Sequence, residues 1–402
     1  MGGSDPSLTN SSPSSNGTSP GPSTVTLSDG DAPPRKSAKR ASSRSTYIAV
    51  IVAVIVIVSA VAYEAYSSGA PGNPCASFTP EQLGANATPG QVTGDTTPNY
   101  AAGTTTNGAV AQVPNGTKIQ VVAAENFWGS LVSQLGGNLT SVTSIVTDPN
   151  TDPHEYEANA TDATLISNAN LVIVNGVGYD DWATQLVAAS DSPGQETLNV
   201  GDLNGVSVTG GIVTGNPHQW YNPIYVNHTL IAMYADLVAL QPSSTAIFQQ
   251  NFANLNSSTG GGAQGVSLDQ LYARANQIKA EFAGTVVLST ESIFVYLANY
   301  TGLDLIAPQS FMEAIAEGND PPTQSVAEFQ CQIEAGHVRV LVYNIQTVTT
   351  ITTNMEHLAA QFNISVTSVS ETIQPSDDSF QNWMYAEYGY LENALDANQL
   401  GQ

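Results

Sequence analysis

Two histidines occupy matching settings. His154 lies in Thr151-Asp152-Pro153-His154-Glu155-Tyr156-Glu157, and His218 lies in Asn216-Pro217-His218-Gln219-Trp220. Each reads Pro, His, then an aromatic two positions on, ahead of a helix start, in a chain with only 5 histidines. A neutral imidazole serves either as an acid–base group or as a metal ligand. Two glutamates complete a candidate set: Glu291 in Thr290-Glu291-Ser292 and Glu371 in Ser370-Glu371-Thr372, each just past an apolar run. Two imidazoles and two carboxylates carry a formal charge of about −2, which suits a divalent transition ion. Taken singly, either glutamate also fits a helix N-terminus, where the dipole favours an acid. His228, His337 and His357 fall within or at the end of helical patterns and read as packing or surface residues.

Those positions need strands that end beside them. Apolar runs at 119–124, 142–146, 171–174, 285–289, 303–307, 338–342 and 364–369 read as buried strands. Helical patterns alternate with them at 127–135, 162–166, 268–282, 292–300, 325–334 and 348–362, with a last helix opened by Asp378 and carrying Trp383, Tyr390 and Leu391. Such alternation predicts parallel sheets with right-handed crossovers. Pro223 begins a longer helix, with Ile224, Ile231, Tyr234, Leu237 and Val238 on one face, and 251–263 reads as an inserted Gly/Ser-rich loop. The fold class is therefore α/β: two α/β lobes with parallel sheets, joined by a long connecting helix. His154, Glu291 and Glu371 fall at strand ends and His218 just ahead of a helix, and strand ends are where open α/β sheets bind ligands.

Composition narrows the setting. The net charge is −25, yet only 11% of residues are charged, because Lys and Arg total 9. Arg35, Lys36, Lys39, Arg40 and Arg44 precede residue 45, leaving Lys118, Arg274, Lys279 and Arg339 for the rest. That excludes nucleic acid as a partner and suits an extracellular surface in acid, ahead of high salt. Residues 1–45 read as a disordered cytoplasmic tail and 46–64 as a transmembrane signal anchor, an uncharged run bounded by Tyr47 and Tyr63. A cleaved signal peptide fits less well, with no Ala-x-Ala site close behind, and Cys75 lies too far past the run for a lipoprotein cysteine. Residues 65–117 read as a flexible Gly/Pro/Thr-rich tether, 118–222 as the N-terminal lobe, 223–283 as the connecting helix and inserted loop, and 284–402 as the C-terminal lobe. Sequons at Asn86, Asn115, Asn138, Asn159, Asn227, Asn256, Asn299 and Asn363 are compatible with a glycosylated surface. Cys75 reads as a linker residue and Cys331 as a buried helix residue; two cysteines do not make a disulfide framework.

The order strand–helix–strand–DPHxYE, then LVxxNGxGxxxW (Leu171 to Trp182), then NPHxW, then a strand with Thr-Glu before a helix, resembles the zinc/manganese substrate-binding proteins of ABC importers. The likeness covers about residues 118–395. It implies two lobes bridged by a rigid helix, with one metal in the interlobe cleft held by His154, His218, Glu291 and Glu371. The family's third ligand is His in typical zinc binders and Glu in manganese binders, and its fourth is usually Asp. Glu371 stands at that fourth position, with Asp377 and Asp378 near enough to substitute. The His- and acid-rich loop of many zinc importers is absent, and residues 314–321 resemble a subgroup with no metal assigned. The implied cargo is a divalent transition metal, Mn or Zn and possibly Fe. The implied partners are an ABC permease and its ATPase, with the chain a monomer on the cell membrane and no catalysis. A surface adhesin or a metalloenzyme are the alternatives. An adhesin would show no metal dependence, and an enzyme would keep an open coordination position.

Overall fold

The computed structural model describes residues 74–85, 110–151, 153–190, 192–206, 208–209, 212–213, 215–257, 265–376 and 378–397. The tail and the anchor expected at 1–64 lie outside them. Among the described residues no helix is long and apolar enough to cross a membrane.

The N-terminal lobe begins with β1 (Ile119–Glu125), which runs straight into α1 (Asn126–Gly136), followed by β2 (Thr140–Val146). Then come α2 (Ala160–Asn168), β3 (Leu171–Val174), α3 (Asp181–Ala189) and β4 (Glu196–Asn199). The sheet order is β2-β1-β3-β4, parallel throughout, with Val121 between Val142 and Leu171. α2 starts earlier than the pattern at 162–166 suggests, because Asn159 is its N-cap and Asp162 the third residue of its capping box. β4 is a strand that periodicity misses, because Glu196–Asn199 alternates buried with half-buried positions and carries only Leu198 as a large apolar residue.

The helices α4 (Val200–Leu203), α5 (Pro223–Leu240), α6 (Thr245–Asn256) and α7 (Leu268–Phe282) lead across to the C-terminal lobe, with a short antiparallel pair, β5 (Val208–Thr209) and β6 (Ile212–Val213), after α4. The long helix α5 begins at Pro223 as expected, and α6 and α7 complete the connection. Pro242 breaks the run, and α6 continues to Asn256, inside the stretch expected to be loop. α5 buries Val226, Leu230, Met233, Leu237 and Leu240, whereas Ile224 is exposed. That stripe keeps helical spacing but is rotated from the face expected.

The C-terminal lobe holds β7 (Val286–Ser289), α8 (Val295–Thr301), β8 (Asp304–Leu305), α9 (Gln309–Ala316), α10 (Thr323–Glu334), β9 (Val340–Asn344), α11 (Thr350–Gln361), β10 (Ser365–Val369) and α12 (Phe380–Ala397). Its sheet order is β10-β9-β7-β8, again parallel. One apolar core runs through both lobes, from Val121 and Leu171 past Trp220 and Leu230 to Val287, Val342 and Phe380. Separate clusters cover the outer face of each sheet. The lobes are thus two sheets on a shared interior.

One cysteine reading is corrected. Cys75 and Cys331 form a disulfide across 256 residues. A short 3-10 turn, Pro74–Ser77, lies on α10, and Gln332 Nε2 donates to the carbonyls of Gln82 and Ile306 at 2.9 and 2.7 Å. Residues 110–117 are also held: Val113 is buried, and its amide donates to the Leu240 carbonyl at 2.8 Å. Within the stretch expected to be a tether, Gly84 and Val113 are thus buried points of attachment, while most of the other described residues are exposed.

Candidate metal centre

Four loops meet between the sheets. β2 leads through a turn at Asp148 to Thr151 into the 3-10 turn Pro153–Glu155, which carries His154. Behind it, Tyr156 anchors the loop by donating to Asp162 at 3.0 Å. His218 precedes another 3-10 turn, Gln219–Tyr221, and Glu291 caps a third, Ser292–Phe294. Glu371 follows β10 directly.

The sequence-derived residues converge. His154 Nε2 lies 3.6 Å from Glu371 Oε2. His218 Nε2 lies 3.5 Å from Glu291 Oε1 and 4.0 Å from Glu371 Oε2. Among the described residues His154, His218 and Glu371 form the one group of three with ligand atoms all within 4.8 Å of one another. Glu291 joins it through His218. Three of the four side chains are fully buried and His154 is 17% exposed. A groove of about 850 Å³ opens beside His154, lined also by Asn216, Ser292, Asp304 and Glu317. It touches none of the other three, so an ion arriving from solvent meets His154 first.

The atoms fit a cation. Asn216 Oδ1 accepts from the His218 amide at 2.9 Å and sits 2.7 Å from His218 Nδ1. That placement puts the ring proton on Nδ1 and leaves the Nε2 lone pair facing the carboxylates. His218 Nε2 is buried with no hydrogen-bond partner among the described residues. Burial, with the neighbouring His154 charge, holds His218 well below 6.5, so its ring stays neutral. Burial pushes Glu371 up to about 7, against hydrogen bonds from Tyr179 and Asn344. Burial, then the charge on Glu371, raises Glu291. Two desolvated carboxylates beside two lone pairs repel one another, and a dication relieves that.

Several supporting residues were not legible as site residues. Asn344, the last residue of β9, donates to Glu291 Oε2 at 3.1 Å and to Glu371 Oε1 at 2.7 Å. Its strand-end position was the available signal. Tyr179 donates to Glu371 Oε2 at 2.7 Å and packs edge-on to His154. It is aimed by a turn in which Gly176, Val177 and Gly178 all have positive φ, closed by Asp180 accepting from the amides of Asn175 and Gly176. A Cβ at Gly176 would come within 2.3 Å of Asn199 Oδ1. Asn175 in turn donates to the Pro217 carbonyl at 2.8 Å, holding the His218 loop. Asp378 turns its carboxylate to Ser379 N and Asn382 Nδ2, committing it to the start of α12. Asp377 lies outside the described residues. His228 is half-buried beside Asn204, and His337 and His357 are exposed.

A two-lobed α/β fold brings imidazoles and carboxylates face to face in the cleft. The family described as zinc-uptake complex component A, periplasmic, matches residues 121–394, and the chain belongs to it. The manganese-binding lipoprotein MntA of Halalkalibacterium halodurans is 28% identical over 138 residues, 34% of this chain and 45% of that one. A putative metal-binding protein of Thermotoga maritima is 23% identical over 191 residues, 47% of this chain and 64% of that one. The manganese ABC transporter substrate-binding lipoprotein PsaA of Streptococcus anginosus is 26% identical over 205 residues, 47% and 61% respectively. The aligned part thus spans about half of the first of these relatives and under two thirds of each. Among solved structures, a crystal structure of ZnuA superposes with a TM-score of 0.54 at 17% identity, over 69% of this chain and 99% of that one. FpvC of Pseudomonas aeruginosa in complex with Mn²⁺ gives 0.55 at 20%, over 70% and 100%. These likenesses establish the fold.

Proposed function

We propose that this chain captures one divalent transition metal outside the cell, between its lobes, and hands it to an ABC permease powered by its ATPase. The observation that carries the reading is the meeting of His154 and His218 with Glu371 at 3.6 and 4.0 Å, with Glu291 at 3.5 Å from His218. The ligands are His154, His218, Glu291 and Glu371. Four protein donors can saturate an ion, which suits capture and leaves no open position for chemistry. Residues 46–64 anchor the protein as a single span, with 1–45 inside and the globular part outside as a monomer. The anchor rests on the uncharged run between Tyr47 and Tyr63 and on the bases before it.

The oxygen-rich set favours Mn²⁺ or Fe²⁺ over what an all-imidazole site would prefer, although zinc binds intrinsically more tightly than manganese. The test is elemental analysis of the purified protein with competition titration. One equivalent of metal is expected, and His154→Ala or His218→Ala should each weaken binding by about tenfold or more. Glu291→His should raise the zinc-to-manganese preference. Full affinity and stoichiometry in both histidine variants would overturn the site.

A further inference from the structure

Gln346 stands between two of the ligand loops without touching a ligand side chain. It lies two residues past Asn344, and its backbone amide donates to Asn344 Oδ1 at 3.0 Å, which fixes its direction. Its Oε1 accepts from the amides of Glu371 and Thr372 at 2.7 and 3.1 Å, and from the Thr372 hydroxyl at 3.3 Å. Its Nε2 donates to the carbonyl of Thr151 at 2.9 Å. One amide group thus holds the backbone that presents Glu371 with one end and the N-terminal lobe's loop with the other. Thr151 lies just ahead of the turn carrying His154, the one ligand that is not fully buried.

Other ties of that loop are local: Thr151 N bonds to the Asp148 carbonyl, Asn150 to the Asp148 carboxylate, and Tyr156 to Asp162, all within the N-terminal lobe. The hydrogen bond from Gln346 carries the loop's backbone across the cleft. The His218 loop is held quite differently. Tyr221 bonds to the Ser370 carbonyl and to the buried Glu387 carboxylate, and Asn216 bonds to the Ser292 carbonyl, around a core shared by both lobes. The His218 side of the site is therefore built into the interior, and the His154 side is fastened by a surface clamp.

We propose that Gln346 is a positioning residue that sets how long a bound ion stays, by clamping the His154 loop onto the backbone of Glu371. This rests on the metal-capture reading above. With the loop held in place a bound ion leaves more slowly, while the groove beside His154 through which it enters is untouched. One hydrogen bond contributes about 1 kcal/mol, or roughly fivefold in rate, rising toward tenfold where a buried partner is left unmet.

The test is stopped-flow release of Zn²⁺ into excess chelator, with association measured separately, for the wild type, Gln346→Met and Gln346→Glu. Gln346→Met removes both arms at similar size. Gln346→Glu keeps an acceptor for the Glu371 and Thr372 amides and loses the donor to Thr151. Both variants should release about five- to tenfold faster, with association within about twofold of wild type and the metal-free unfolding temperature little changed. Wild-type release from Gln346→Glu beside fast release from Gln346→Met would assign the effect to the Glu371 arm and overturn the clamp. Equal slowing of association and lowering of the unfolding temperature would mark general loosening and would also overturn it. If the wild type itself took up no metal, the proposed function would fall and the clamp with it.

Discussion

The Oδ1 atom of Asn216 lies 2.7 Å from Nδ1 of His218 and also accepts from its backbone amide. This pairing decides which ring nitrogen faces the carboxylates. Replacing Asn216 with Ala frees the ring to carry its proton on either nitrogen and to rotate. Metal affinity should fall by about 10- to 100-fold while the fold persists. Isothermal titration with Mn²⁺ or Zn²⁺ reads this directly, and an unchanged affinity would mean that His218 needs no orientation.

Asn344 bridges Glu291 and Glu371 with one amide nitrogen. An Asn344→Leu variant leaves two buried carboxylate oxygens without their donor. Such a loss costs about 1–3 kcal/mol in the metal-free protein. Affinity for metal should drop about tenfold, since both carboxylates then drift or take up protons. Chemical denaturation in chelator, paired with titration, checks both halves; a variant as stable and as tight as wild type contradicts the bridging role.

Stability of the metal-free protein should decline toward alkaline pH. Burial, then the charge of Glu196, pushes Asp236 up to about 7. Burial pushes Glu387 up to about 7, against hydrogen bonds from Ser370, Tyr221 and Trp383, and Asp180 to about 6, against the amides of Gly176 and Asn175. In each case the folded form holds its proton more tightly than the unfolded chain, whose carboxyls titrate near 4. Their contribution is complete below about pH 4 and is lost as pH rises through about 6 to 7. The unfolding temperature in chelator should therefore be higher near pH 5 than near pH 8, by about 5 °C or more. A rise over the same interval would show that these carboxyls ionise freely in the fold.

The Cys75–Cys331 bond fastens a segment that touches the opposite end of the C-terminal sheet from Glu291. Gly84 lies against Val286, the first residue of β7, whereas Glu291 follows its last. Reduction, or Cys75→Ser with Cys331→Ser, should lower stability by about 2–4 kcal/mol. Metal stoichiometry should stay at one. Loss of metal binding together with the disulfide would show that the two ends of the lobe are coupled.

The four converging residues were legible from their settings: Glu291 follows β7, a short and largely buried apolar run, His154 and Glu371 follow the edge strands β2 and β10, whose residues are more mixed, and His218 repeats the Pro-His-x-aromatic pattern. What stayed hidden involves partners that sequence does not mark. Gln346 works through backbone amides and a carbonyl, so no pattern of side chains signals it. β4 gives no apolar run because Thr197 and Asn199 flank its one large apolar residue, Leu198. The disulfide joins a proline-rich turn to a helix 256 residues away, a pairing that only the folded contact between them selects. The face of α5 was misjudged because apolar residues lie nearly all round it, leaving periodicity little contrast.

That disulfide also changes what a protease can do. Residues 76 to 330 lie inside a covalent ring, which includes the whole N-terminal lobe and the stretch 86–109. A cut anywhere in the ring opens it without dividing the molecule, since the two pieces stay joined through sulfur. One nick near residue 100 would leave the two lobes still joined to residues 74–85 through sulfur. Dividing the molecule by a cut inside the ring therefore takes a protease and a reductant together.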